Sequence, residues 1–205
     1  LGFEIGSHTH MHQLTYEQTK KEVESDLYKS IQTLQEITGK KVKSFRAPGF
    51  SITKKNKWVF EILYRNGIEY DSSIFPASRA HGGLSSFPKA TPSRLIIEGA
   101  EIKEFPINTA SILGYKWIFS GGGYFRLTPY NLIHSWTKES NYIMTYFHPR
   151  DFDYEQPIIQ ELSFFRKFKS YYGLKSCLPK LEKWVNDFEF IDLSSANNKV
   201  DWNNA

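Results

Sequence analysis

The chain has 205 residues, 40% hydrophobic and 23% charged, enough apolar side chain for one globular core and too much for a disordered chain, a collagen or a disulfide scaffold. Its net charge of +4, from 26 basic and 22 acidic residues, is mild and scattered rather than gathered on a stripe, which argues against a nucleic-acid module. Cys177 is the single cysteine, so no intramolecular disulfide forms, and no apolar run reaches the length of a membrane helix.

In chain order, residues 1–6 alternate like a short buried strand that opens at Leu1 rather than Met and breaks into Ser7-His8-Thr9-His10-Met11-His12. Thr15 with Gln18 predicts a capping box, and Gly39 a C-terminal stop, for a long helix that buries Val23, Leu27, Ile31 and Leu34. Residues 42–45 predict a strand ending at Arg46-Ala47-Pro48. A helix follows over 54–66, with Trp58, Ile62 and Leu63 inward and Gly67 as its stop, and then a strand over 68–70 that ends at Asp71. This alternation predicts parallel strands joined by crossover helices. Residues 75–92, rich in Gly, Pro and Ser, read as a long excursion of the functional kind. Residues 94–98 and 101–107 predict a hairpin about Gly99, residues 120–123 a glycine loop, and Thr128-Pro129 a capped helix start. A buried strand over 142–147 ends at His148, helices are expected over 158–171 and 179–187, and a last strand over 188–193 precedes a polar, frayed tail. No internal repeat or second domain is predicted.

Four predicted strands end on chemically useful residues: His8/His12, Arg46, Asp71 and His148. The carboxyl-end rim of parallel strands is where active sites assemble. One helical turn would turn His8 and His12 to the same side, where both reach a zinc ion; the alternative is a polar loop that happens to hold histidines, and His10 has no role on either reading. Arg46 is a cation aimed at a carboxylate or the cap of a strand edge. Asp71 orients a histidine or caps the turn through Ser72-Ser73. His148 is a rim imidazole or a satisfied structural histidine. Asp151 and Asp153 read as solvent-facing, Cys177 as core filler, and His81 and His134 have no partners near them in sequence. The glycines at 121–123 lack the Lys-Ser/Thr of a phosphate loop, and no Gly-x-Ser-x-Gly elbow supports a serine hydrolase.

Taken in order, residues 7–12, Phe45-Arg46-Ala47-Pro48, Asp71-Ser72-Ser73-Ile74-Phe75 and Tyr146-Phe147-His148-Pro149 resemble four of the five motifs of the NodB-type polysaccharide deacetylases (carbohydrate esterase family 4). Tyr70 to Pro76, Gly121 to Arg126 and Phe147 to Asp153 look like the branch associated with exosortase and exopolysaccharide loci. The resemblance implies an α/β fold, a partial (β/α) barrel of the deformed seven-stranded type, with a deacetylase domain over 1–193 and a polar tail over 194–205. It implies His8 and His12 as metal ligands, Arg46 as the cation holding the base carboxylate, Asp71 as the acid tuning the catalytic His148, and the backbone at Gly49 and Phe50 as the oxyanion and substrate contact. Phe75 stands where many members have Trp, and Gly49 where many have Tyr, departures that touch groove shape.

The family's first motif, an Asp pair that supplies the general base and the third ligand, has no counterpart here. The resemblance therefore implies that the first two strand–helix units are missing and that this chain alone is inactive. The function it implies is removal of N-acetyl groups from amino sugars of a polysaccharide or lipid-linked glycan. It would use a divalent metal, Zn2+ first and Co2+ or Ni2+ as alternatives. The location expected is bacterial, cytoplasmic or peripheral to the inner face of the membrane, with self-association through an exposed sheet edge. The other reading is a non-catalytic carbohydrate-binding remnant with Trp117, Tyr124 and Phe125 lining a groove.

Overall fold

The computed structural model describes residues 2–77 and 82–205, so Leu1 of the expected first strand and positions 78–81 of the excursion, His81 among them, lie outside the described residues. In chain order the elements are α1 (Lys20–Thr38), β1 (Ser44–Phe45), α2 (Val59–Arg65), β2 (Tyr70–Asp71), β3 (Ser93–Ile97), β4 (Ala100–Glu104), β5 (Ala110–Ile112), β6 (Tyr115–Trp117), α3 (Gly122–Leu127), α4 (Tyr130–Glu139), α5 (Phe164–Tyr171), α6 (Leu174–Asp187) and α7 (Leu193–Asn197). They form two compact units, one of Leu1–Ile107 with Ile191–Ala205, the other of Asn108–Phe190.

The first unit is mixed α/β. Its sheet runs β1-β2-β4-β3; β1, β2 and β4 are parallel and β3 is antiparallel to β4. α1 is closed at its start by a capping box of Thr19 with Glu22, not by Thr15 with Gln18. Thr15 is instead buried, donating to the Ser51 carbonyl at 3.0 Å. Gly39 ends α1 at φ 65°, as its position predicts. Val23, Leu27 and Ile31 of α1 pack with Ile62 and Leu63 of α2 and Ile102 of β4 in one core, with Leu34 and Trp58 at its margin.

Residues 2–6 do not form the expected buried strand. The neighbouring β1 is two residues long, so only Ser7 finds ladder partners, donating to the Ser44 carbonyl at 2.8 Å and accepting the Arg46 N–H at 3.0 Å. The tail is not frayed. Asp192 caps α7 through the Ser195 N–H at 2.7 Å, and Trp202 meets Phe105 edge to face at 5.5 Å. The strand expected over 188–193 does not form, its end being the start of α7.

The second unit is α3, α4 and α6 around Phe119, Phe125, Ile133, Cys177 and Trp184, with the β5–β6 hairpin and α5 as further elements. The strand expected over 142–147 is reduced to one parallel bridge of Gly121 with Tyr146. Gly121 permits it: a Cβ there would lie 1.9 Å from the Tyr146 carbonyl oxygen. Thr128 does not cap α4; its hydroxyl donates back to the Tyr124 carbonyl at 2.8 Å and accepts the Trp117 indole N–H at 3.0 Å.

Candidate active site

The histidine motif is a clamped loop rather than a helical turn. Asp26 of α1 accepts the backbone N–H of His10 at 2.9 Å and of Met11 at 3.0 Å, and Thr9 Oγ1 accepts the His12 N–H at 3.1 Å. Thr9 and His12 have φ of 65° and 56°, left-handed conformations that cost a side-chain-bearing residue and persist where neighbours hold them. The loop sets the imidazoles of His8 and His12 edge to face, ring centroids 4.9 Å apart. His8 Nδ1 lies 2.6 Å from the Arg46 carbonyl. A carbonyl there assigns the proton to Nδ1 and leaves Nε2 as the metal-binding nitrogen, the usual orientation of a ligand imidazole. Two such imidazoles fit a borderline divalent ion as two of its three protein donors. Among the described residues no third His, Cys, Asp or Glu joins them.

β1 and β2 deliver Arg46 and Asp71 side by side. Arg46 Nε donates to the Ser72 carbonyl at 3.1 Å and to Ser72 Oγ at 3.0 Å, and the guanidinium lies 5.6 Å from the Phe50 ring centroid. The turn after β1 has φ of 60° at Gly49 and 55° at Phe50, and a Cβ on Gly49 would come within 2.9 Å of Leu14 Cδ2. The Phe50 N–H donates to the Ala47 carbonyl at 3.1 Å.

Asp71 is fully buried and accepts the Ser73 N–H at 3.1 Å and Ser73 Oγ at 2.6 Å. Its register partner on β4 is Glu104, equally buried, whose Oε1 accepts the Ile74 N–H at 3.0 Å. Burial pushes Asp71 up, against hydrogen bonds from Glu104 and Ser73 and the charge of Arg46. Burial and then the Asp71 charge push Glu104 well above the usual carboxylate range. Two carboxyls so placed keep one proton between them. Glu104 Oε2 is buried and has no hydrogen-bond partner among the described residues.

In the second unit His148 has its side chain 60% exposed, with Nδ1 3.9 Å from Asp151 Oδ2. The same oxygen accepts the His148 N–H at 3.0 Å. Asp151 is buried, not solvent-facing, because Arg126 of α3 forms an ion pair with its other oxygen. Arg126 also donates from Nε to the Tyr172 carbonyl at 3.0 Å and from Nη2 to the Lys169 carbonyl at 2.7 Å. Lys180 closes the end of α3, donating to the carbonyls of Phe125, Arg126 and Thr128 at 3.1, 3.0 and 2.9 Å, and burial lowers its pKa.

Comparison with known proteins divides the chain at the same strand that bears Asp71. Residues 1–69 match the polysaccharide deacetylase family, and residues 72–197, more than half of the chain, match a domain of unknown function, DUF3473. The chain belongs to the DUF3473-bearing branch of the NodB-type polysaccharide deacetylases. No curated protein matches it. Among solved structures it is similar to a Mycobacterium smegmatis protein put forward as a polysaccharide deacetylase, with 19% identity and a TM-score of 0.43 over 56% of this chain. The chain spans 37% of that protein's length.

In this chain the first unit holds His8, His12, Arg46, Gly49, Phe50 and Asp71, while His148 belongs to the second. Of the aromatics expected to line a groove, Phe125 is core, and Trp117 and Tyr124 are half-buried against each other at 5.7 Å. Cys177 is core filler as expected, its thiol held up at about 11 by burial. Sequence reading missed Asp26, Glu104 and Arg126. Glu104 carried a signal, since in the alternating strand Ala100-Glu101-Ile102-Lys103-Glu104 it falls on the same face as Ala100 and Ile102. Arg126 lay inside a motif already singled out. Asp26 had none, being one half-buried polar residue at the margin of the buried face of an amphipathic helix.

Proposed function

We propose that this protein is a metal-dependent hydrolase that removes N-acetyl groups from amino sugars of a polysaccharide or lipid-linked glycan. The observation that carries this reading is the pair of imidazoles of His8 and His12, set face to edge at 4.9 Å with Arg46 supplying the carbonyl that orients His8. The family membership supports it. So does the run of parallel strands β1, β2 and β4, which fits a segment of a (β/α) barrel sheet.

His8 and His12 would hold a divalent ion, Zn2+ first, with Co2+ and Ni2+ suited to the same donors. Such an ion, when bound, lowers the pKa of water and polarises a carbonyl. Arg46, fixed by Ser72, presents a cation at the strand ends for a carboxylate, and in the turn after it the Gly49 amide is the backbone donor suited to an oxyanion, since the Phe50 N–H is held by the Ala47 carbonyl. His148, exposed and anchored through its own N–H, is suited to protonate a leaving amine, because Asp151 holds the backbone and leaves the imidazole accessible.

The test uses the full-length protein and a chitooligosaccharide, with acetate release and bound metal read together. His12→Ala is expected to lose the metal and the activity, whereas His148→Ala keeps the metal and lowers turnover by about 100-fold or more. Equal metal loss in both variants contradicts the roles assigned. Glycan binding without acetate release from metal-loaded parent protein overturns the enzymatic reading.

A further inference from the structure

α5 is rich in aromatic residues, yet none of its residues is buried. Phe164, Phe165 and Phe168 expose 78%, 75% and 42% of their surface. At about 100° per residue, Phe164, Phe168 and Tyr171 share one side of the helix with Phe165 at its margin; Lys167 and Lys169 flank that side and Arg166 lies behind it. Tyr171 extends the strip, its hydroxyl donating to the Pro157 carbonyl at 3.1 Å and accepting the Ile159 N–H at 2.9 Å. That tie sets Ile158 and Ile159, 57% and 50% exposed, beside the helix.

The charge on and after the helix is positive, and the exposed Glu161, between Ile159 and Phe164, is the nearest acidic residue along the chain. Residues 162–181 contain Arg166, Lys167, Lys169, Lys175 and Lys180 and no Asp or Glu, and of these Lys180 is taken up by backbone carbonyls. An aromatic strip framed by cations is the pattern of a helix that lies in the plane of an anionic bilayer, its rings among the acyl–headgroup boundary and its cations on lipid phosphates. Spanning is a separate matter: among the described residues no helix is long and apolar enough to cross a membrane.

We propose that α5, with the adjoining Ile158–Ile159 segment, docks this protein on an anionic lipid surface. The test is flotation of the 205-residue chain with phosphatidylcholine vesicles, with and without phosphatidylglycerol, so that vesicle-bound protein rises and aggregates sink. The chain is expected to float only with phosphatidylglycerol and to be released as salt rises. The double variants Phe164→Ser/Phe165→Ser and Lys167→Glu/Lys169→Glu should each reduce floated protein about tenfold or more. Their thermal melts should match the parent, because none of the four side chains is buried.

No flotation, equal flotation with neutral vesicles, or variants that float like the parent would each overturn the proposal. So would a dimer in sedimentation that the phenylalanine variant abolishes in a chain that does not float, since a second copy would then cover the face. Acetate release plays no part in these readouts, so the docking surface and the deacetylase reading stand or fall separately.

Discussion

Thr9, a β-branched residue at φ 65°, needs something to hold it, and two backbone N–H groups given to the Asp26 carboxylate do so. Asp26→Ala is expected to destabilise the chain by about 1–2 kcal/mol and to weaken zinc binding by about tenfold or more, measured by urea unfolding and calorimetric titration with zinc. Unchanged zinc affinity would show that the loop stands without its clamp. Glu104 makes a second prediction at this scale. Between the ordinary glutamate range and Glu104's raised value the folded chain binds more protons than the unfolded one, so stability falls as pH rises through that window. Glu104→Gln keeps an acceptor for the Ile74 N–H and a donor for Asp71 without the titration. Its melting temperature should therefore exceed the parent's at mildly alkaline pH, at about 2–4 °C per kcal/mol for a chain of this size, and vary less with pH. A pH profile identical to the parent's would refute the shared proton.

At the scale of elements, short strands do the positioning. β1 and β2 are two residues each, long enough to set Arg46 and Asp71 at adjacent carboxyl ends and no longer. In the second unit α3 is anchored through Arg126, whose ion pair with Asp151 has both side chains under 10% exposed. Removing one partner leaves a buried charge, so Arg126→Met should cost about 3–5 kcal/mol in urea unfolding. Arg126→Lys should rescue little, because an ammonium cannot reproduce the guanidinium fork toward Asp151, Tyr172 and Lys169. Full rescue by lysine would show that charge alone holds the His148 turn. The helices α1 and α2 were legible because their apolar periodicity is local. The strands expected over 142–147 and 188–193 were not, because an apolar run becomes a strand only if a neighbour offers it a ladder, and Tyr146 alone finds one.

For the whole molecule, the net charge is a mild +4, and among the described residues the sheet ends at β3, where Ile96 is 68% exposed. Such an edge is a template for pairing with another chain. Sedimentation is expected to show concentration-dependent association that Ile96→Lys suppresses; a parent chain that is monodisperse across the range would remove the edge from consideration.

The sequence by itself determined that Arg46 and Asp71 stand at strand ends, the stop at Gly39, the hairpin about Gly99 and the ordered motifs that carry the family, since all of these are set by neighbours along the chain. Only the tertiary structure decided that Glu104 faces Asp71, that Asp26 clamps His10 and Met11, and that Arg126 buries Asp151. Each of these pairs is far apart in sequence and meets through strand register or helix packing. Burial then changes how the residues behave, pushing Glu104 well above the usual carboxylate range and holding Asp151 against Arg126, and no local pattern of residues encodes that dielectric surrounding.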